Sequence, residues 1–218
     1  MRIQSFGWLY VVMCLTEIVS IRQSTFARSS PMNPAFRIEE FPRYTVEDYL
    51  EWQGDWELWT GIAIAMTPSP FGGHQRTIAR MSHLILESVE KNRIQGNCCD
   101  CEVFVELDWI VDRETVVRPD LSVVCGPAVE GHLQQPPAVV IEVRSPSTST
   151  NDRTFKYKLY EQQGVRHYIM IDPESEQVEH CKLEGGKYQL VPVVQTASIQ
   201  LTLHDACSIH IECNRIFQ

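Results

Sequence analysis

The stretch Ala138-Val139-Val140-Ile141-Glu142-Val143 constrains this chain more than any other. Its apolar side chains fall on both faces of an extended segment, and such a strand is stable only when covered from both sides. The chain must therefore build a sheet with this strand in its interior and other elements over each face.

The flanking patterns supply those elements. Thr45-Val46-Glu47-Asp48 has the form of a capping box and opens a short helix to about Gln53. Trp56 to Trp59 and Ile62 to Met66 flank Thr60-Gly61, the signature of a tight hairpin. Ser69 to Gly73 reads as a loop. From His74 to about Lys91, Ile78, Met81, Leu84, Ile85 and Val89 recur at helical steps. Cys99, Cys101, Val103, Val105 and Leu107 then alternate with polar partners, which predicts one strand to about Ile110. Val116 to Cys125 is a second strand, interrupted at Pro119. Beyond the central strand come a loop at 145–150, a helix from Asp152 to Gln163 stopped by Gly164, and a strand from His167 to Ile171. A hairpin closes around Gly185-Gly186, with short strands to Cys213. This order predicts a mixed α/β (α+β) domain, a central mixed sheet flanked by helices.

With 218 residues, 44% of them hydrophobic, one core is expected. The domain is read as residues 44–194, after a tail at 32–43 and before an extension at 195–218. Residues 1–31 are expected to be an upstream extension ahead of Met32 or a weak signal-like segment, the apolar run Phe6 to Leu15 being too short to span a membrane. The formal charge of −9 excludes a wholly basic nucleic-acid coat, so any nucleic-acid surface must be local. The eight cysteines are expected to be mostly reduced core residues in a chain of this size. Cys98, Cys101, Cys207, His210 and Cys213 have zinc-like spacings, but alternation along strands sends Cys98 and Cys101, or Cys207 and His210, to opposite faces, which argues against a shared metal. Phosphate-binding glycine loops, G-x-S-x-G and H-E-x-x-H are absent from the sequence.

The chemistry centres on Glu142. An ionised carboxylate inside an apolar strand loses hydration worth many kcal/mol unless a cation compensates. That cation is either Arg118 or Arg144 in an ion pair, or a divalent metal shared with Asp120 of Arg118-Pro119-Asp120 on the preceding strand. Asp152, Lys156 and Tyr160 stand four residues apart on one helix face. If that face looks at Glu142, an ammonium joins two acids, a constellation suited to phosphodiester hydrolysis.

Several blocks together resemble the Uma-two family of restriction endonucleases, a branch of the PD-(D/E)XK nuclease superfamily. They are Asp55-Trp-Glu57-Leu-Trp-Thr-Gly61, Ile64 to Pro70, His74-Gln75, Arg118-Pro-Asp120, Pro137 to Ser147, Asp152 to Lys156 with Tyr160, and Gly164 to Tyr168 running on to Asp172-Pro173. The resemblance covers about Tyr44 to Val194. It implies a restriction-endonuclease-like fold, hydrolysis of DNA with Mg (or Mn), and a bacterial cytoplasmic setting. It makes Asp120 and Glu142 the metal carboxylates, Lys156 the catalytic lysine moved to the helix, and Glu57 a further acid, with His74, Asp152 and Tyr160 in support. The position two after Glu142 is Arg144, so a strict E-x-K is absent and Lys156 takes that part.

Arg144, Arg153 and Lys158 form a basic edge that could dock a DNA backbone. Cutting both strands calls for two sites, hence a homodimer. The competing expectation is a non-catalytic nucleic-acid or protein-binding module that keeps the nuclease fold. A secreted disulfide-stabilised domain is the third, and depends on residues 1–31.

Overall fold

The computed structural model describes residues 42–66, 71–96, 100–144, 152–194, 197–204 and 207–218, so expectations for residues 1–31, the 145–150 loop and Cys98 lie outside it. Its centre is a six-stranded mixed sheet in the order β10-β9-β8-β7-β6-β3. The strands are β3 (Cys101–Val105), β6 (Leu121–Cys125), β7 (Val139–Val143), β8 (His167–Asp172), β9 (Gln177–Glu184) and β10 (Lys187–Val191). As its composition requires, β7 is interior and buried at every residue. It runs antiparallel to β6 and parallel to β8.

A smaller sheet, ordered β2-β1-β5-β4, holds β1 (Trp56–Trp59), β2 (Ile62–Ala65), β4 (Trp109–Asp112) and β5 (Thr115–Val117). The β1–β2 turn is Thr60-Gly61, both at positive φ (46° and 83°), as a two-residue hairpin matching strand twist demands. The capping box forms at α1 (Val46–Tyr49): Thr45 N–H donates to Asp48 at 2.8 Å.

Two expected strands are each divided between the sheets. The first is broken where Glu106 takes a φ of 51°, after which Trp109 enters the small sheet. The second leaves the small sheet at Val117 and joins the large one at Leu121, with Arg118-Pro119-Asp120 as the crossing. Proline has no N–H for a ladder, so the chain changes sheets there without losing a bond. Alternation alone cannot signal such a change of partner.

On one face of the large sheet, α2 (Gly72–Ile94) buries Ile78, Met81, Leu84, Ile85 and Val89 against Leu121, Val123, Ile141 and Ile169. The 195–218 stretch is no appendage, because β11 (Ser198–His204) and β12 (Cys207–Glu212) form a hairpin that puts Ile199, Leu201, Ile209 and Ile211 into this same core. Asn92 Nδ2 on α2 donates to the Ser208 carbonyl at 3.0 Å. The opposite face carries α3 (Tyr157–Gln162), preceded by a π-helical turn at Asp152–Lys156. Tyr160 and Tyr168 pack there with Trp109 and Leu133. No helix among the described residues is long and apolar enough to cross a membrane.

Cys181 and Cys213 are buried thiols, as expected, but Cys101 and Cys125 form a disulfide, and Cys207 is also disulfide-bonded. Composition could not show this: Cys101 and Cys125 lie on strands far apart in sequence and become direct cross-strand partners only in the β3–β6 register.

Where β8 and β9 pair, His167 Nδ1 and His180 Nε2 are 2.9 Å apart in the interior. His167 Nε2 accepts the Thr202 N–H at 2.9 Å, so its Nδ1 carries the proton and donates to His180. Burial, then the neighbouring His180 with Lys182 and Arg166, pushes His167 down to about 4; burial and Lys182 push His180 down to about 4. Both are therefore neutral in the fold while the unfolded chain takes up protons near pH 6.5. Their contribution is complete above pH 6.5 and is lost as pH falls toward 4, reaching about 2 kcal/mol per histidine at pH 5. Urea midpoints should fall steeply between pH 7 and 5 and much less in His180→Gln; equal slopes would contradict this.

Candidate functional site

The site lies where the chain crosses between the sheets, against the end of β7. Glu142 faces the same side of β7 as Val140 and looks at α3. Its Oε1 accepts from Lys156 Nζ at 3.0 Å and from the Tyr160 hydroxyl at 2.7 Å. Lys156 Nζ also lies 3.0 Å from Glu57 Oε1, so one ammonium bridges carboxylates from both sheets. All three residues are at most 5% exposed. The cation that Glu142 needs is thus Lys156, not Arg118 or Arg144. Arg144 pairs with Asp172 at 3.3 Å, and Arg118 with Asp108 and Asp55 at 2.6 and 2.9 Å.

The helical spacing places Lys156 and Tyr160 on one face, as the sequence predicted, with the π turn ending at Lys156. π turns recur at functional positions because they re-aim a side chain within a continuous helix. Tyr160 is completely buried; desolvation, followed by the charge of Glu142, drives its hydroxyl well above the ordinary tyrosine range. It remains a neutral donor to Glu142.

Glu57 has both oxygens occupied by protein donors. The Arg118 backbone N–H reaches Oε1 at 2.7 Å and Trp59 Nε1 reaches Oε2 at 2.9 Å. It anchors Lys156 and ties the small sheet to the site.

Asp120 stands one step beyond the Leu121↔Ile141 pair, beside Glu142 and Val143. Its Oδ2 accepts the Val143 N–H at 2.6 Å and lies 3.4 Å from His74 Nε2, in the first turn of α2. Burial alone would lower the His74 pKa, but Asp120 outweighs it and the net shift is upward. His74 Nδ1 is buried without a hydrogen-bond partner.

Glu57 and Glu142 share the Lys156 ammonium, and Asp120 stands beside Glu142 on the neighbouring strand, so among the described residues acids predominate in a largely desolvated place. A divalent cation is the natural complement to them, because buried charge must be balanced locally. Mg²⁺ is commonly held by one or two carboxylates together with waters and substrate phosphates, which Asp120 and Glu142 can provide.

Of the expected DNA-contacting residues, Lys158 is exposed, Arg144 is engaged by Asp172, and the Arg153 side chain, like that of Asp152, lies outside the described residues. The sequence reading missed a clamp beneath the site. Asp108 takes Arg118 on one oxygen and the Tyr49 hydroxyl on the other, at 2.9 Å. Its signal was the one that marked Glu142, an acid between apolar residues, here Leu107 and Trp109.

Comparison with known proteins identifies the family and the fold. Residues 46–212 match the Uma2 family model, described as "Putative restriction endonuclease". The chain is 28% identical over 159 residues to "Uncharacterized protein slr1290" of Synechocystis sp., covering 69% of this chain and 80% of that protein. The crystal structure of "a putative nuclease belonging to DUF820" from Anabaena variabilis has the same fold, with a TM-score of 0.62 at 20% identity, covering 80% of this chain and 97% of that one. A family match spanning most of the chain and a fold shared with that structure lead to one assignment: this chain belongs to the Uma2 family of restriction-endonuclease-like proteins.

Proposed function

We propose that this protein is a metal-dependent endonuclease that hydrolyses DNA phosphodiesters with Mg (or Mn). The observation that carries the reading is the buried Glu57–Lys156–Glu142 bridge on the strand beside Asp120. Asp120 and Glu142 would hold the ion, which when bound polarises the phosphate and acidifies a water.

The protein's own residues prepare that chemistry. Tyr160 and Lys156 both fix Glu142 Oε1, so the carboxylate cannot turn away. The Val143 N–H fixes Asp120 in the same way. Glu57 holds the ammonium of Lys156 at the site, where it orients the attacking water or steadies charge developing on the phosphate. Lys158 offers an exposed cation on the same helix for the DNA backbone.

The test is nicking of supercoiled plasmid by the full chain with Mg or Mn, beside Asp120→Asn. Metal-dependent cutting is expected, and strongly reduced cutting in the variant. A folded protein that cuts neither single- nor double-stranded DNA with either metal would overturn the reading and leave a binding module with a nuclease fold.

A further inference from the structure

A second constellation lies away from these carboxylates, at the edge of the large sheet. The donor atoms of Cys101, His204 and Cys207 all lie within 4.8 Å of one another, the only such group of three His, Cys, Asp or Glu residues among the described residues. Cys101 and Cys207 are buried and His204 is partly buried. The Sγ of Cys125 is bonded to that of Cys101 at 2.06 Å, so a third sulfur adjoins the group.

The topology makes these four residues two matched pairs. Cys101 faces Cys125 across β3 and β6, and His204 faces Cys207 across β11 and β12. One pair brings His204 and Cys207 to Cys101, and the other holds Cys125 next to Cys101, so a fourth donor stands beside the three that converge. Three thiolates and an imidazole suit Zn²⁺, whose closed structural sites are built from such sets. Tetrahedral donors at Zn–S and Zn–N distances stand about 3.3–3.8 Å apart, so drawing in Cys101, His204 and Cys207 needs a shift of roughly one ångström, and Cys125, once freed from Cys101, must turn to join them.

We propose that the reduced protein binds one Zn²⁺ through Cys101, Cys125, His204 and Cys207, fastening the β11–β12 hairpin to the edge of the nuclease sheet. The disulfide is the oxidised form of the same site. A dithiol reductant supplies two electrons and two protons to the Cys101–Cys125 bond and itself closes to a disulfide, and the Cys207 disulfide is reduced in the same way. The ion then displaces the thiol protons to solvent, because only thiolates ligate. A disulfide oxidant that takes the two electrons back and is itself reduced to two thiols re-forms the Cys101–Cys125 bond and releases the metal. The spacings apparent in sequence paired Cys98 with Cys101 and Cys207 with His210. The ligand set in the fold is different, because β3, β6 and the hairpin converge only in three dimensions.

The experiment is metal analysis of the full chain, reduced with a phosphine and exchanged into zinc-limited buffer, followed by Zn²⁺ titration against a chromogenic chelator and Co²⁺ substitution. One equivalent of zinc is expected, with tetrahedral cobalt bands and a thiolate-to-cobalt charge-transfer band. That last signature separates this site from the carboxylates, and Asp120→Asn should leave it unchanged. His204→Ala and Cys125→Ser should each weaken zinc binding by more than the ~10–100-fold typical of losing an outer ligand partner. Cys181→Ser should bind as wild type. Because Cys125→Ser could unfold the edge, thiol counting on the wild type gives an independent measure: zinc should shield three cysteines from a thiol reagent. The proposal fails if the reduced, folded chain binds no stoichiometric zinc, if His204→Ala keeps full affinity, or if the Cys101–Cys125 disulfide survives reduction of the native protein.

Discussion

Lys156→Met is expected to cost about 3–5 kcal/mol of folding stability and to abolish metal-dependent DNA cleavage. The two losses have different origins. Nζ is 3.0 Å from carboxylates on β1 and β7, in surroundings almost closed to water. Deleting it removes the ammonium that Glu57 and Glu142 share, and the penalty is that of weakening the compensation of two buried ions rather than of one lost contact. Most single domains are stable by only about 5–15 kcal/mol, so this variant should still fold, with its urea midpoint far below that of the wild type. Glu57→Gln in the same chain removes one of these buried charges. Lys156→Met should therefore cost about 1–3 kcal/mol less in that background, a coupling that a double-mutant cycle measures directly. A coupling near zero would mean that the bridge does not hold the sheets together in solution.

The second large effect separates chemistry from folding. Asp120→Asn keeps an oxygen that can accept the Val143 N–H, and the side chain is 16% exposed, so stability should change by no more than about 1 kcal/mol. Cleavage should fall at least about a hundredfold, because a neutral amide is a poor ligand for a hard cation and leaves developing charge unbalanced. Raising Mn²⁺ should restore part of that loss, and plasmid nicking across a metal titration reads both quantities. A variant that is equally active at all metal concentrations would remove Asp120 from the metal-binding role, while leaving the Lys156 bridge as a structural feature.

Local physics determined the elements that proved legible in the sequence. Doubly apolar β7, the Thr60-Gly61 turn, the Thr45–Asp48 cap and the apolar face of α2 each follow from a few neighbouring residues, and the structure has them where their patterns place them. The need for a cation at Glu142 was equally local, since burial of a charge in an apolar strand is costly wherever it occurs. The facing of Lys156 and Tyr160 followed from helical spacing once α3 crossed over the sheet.

What the sequence could not decide were matters of partner. Whether Arg118, Arg144 or Lys156 answers Glu142 depends on which side of β7 each element covers, and that is settled by packing. The strands divided at Glu106 and at Pro119 keep their alternation while changing sheets, because side-chain period reports burial and not the identity of the neighbouring strand. The cysteines show the same limit: Cys101, Cys125 and Cys207, with His204, are spread over a hundred residues and meet only through the register of β3 with β6 and the docking of the last hairpin. The sequence by itself determined that a buried acid sits in a central strand and needs a cation; the tertiary structure alone decided which residues meet it, because burial is written in local pattern while convergence is a property of the folded chain.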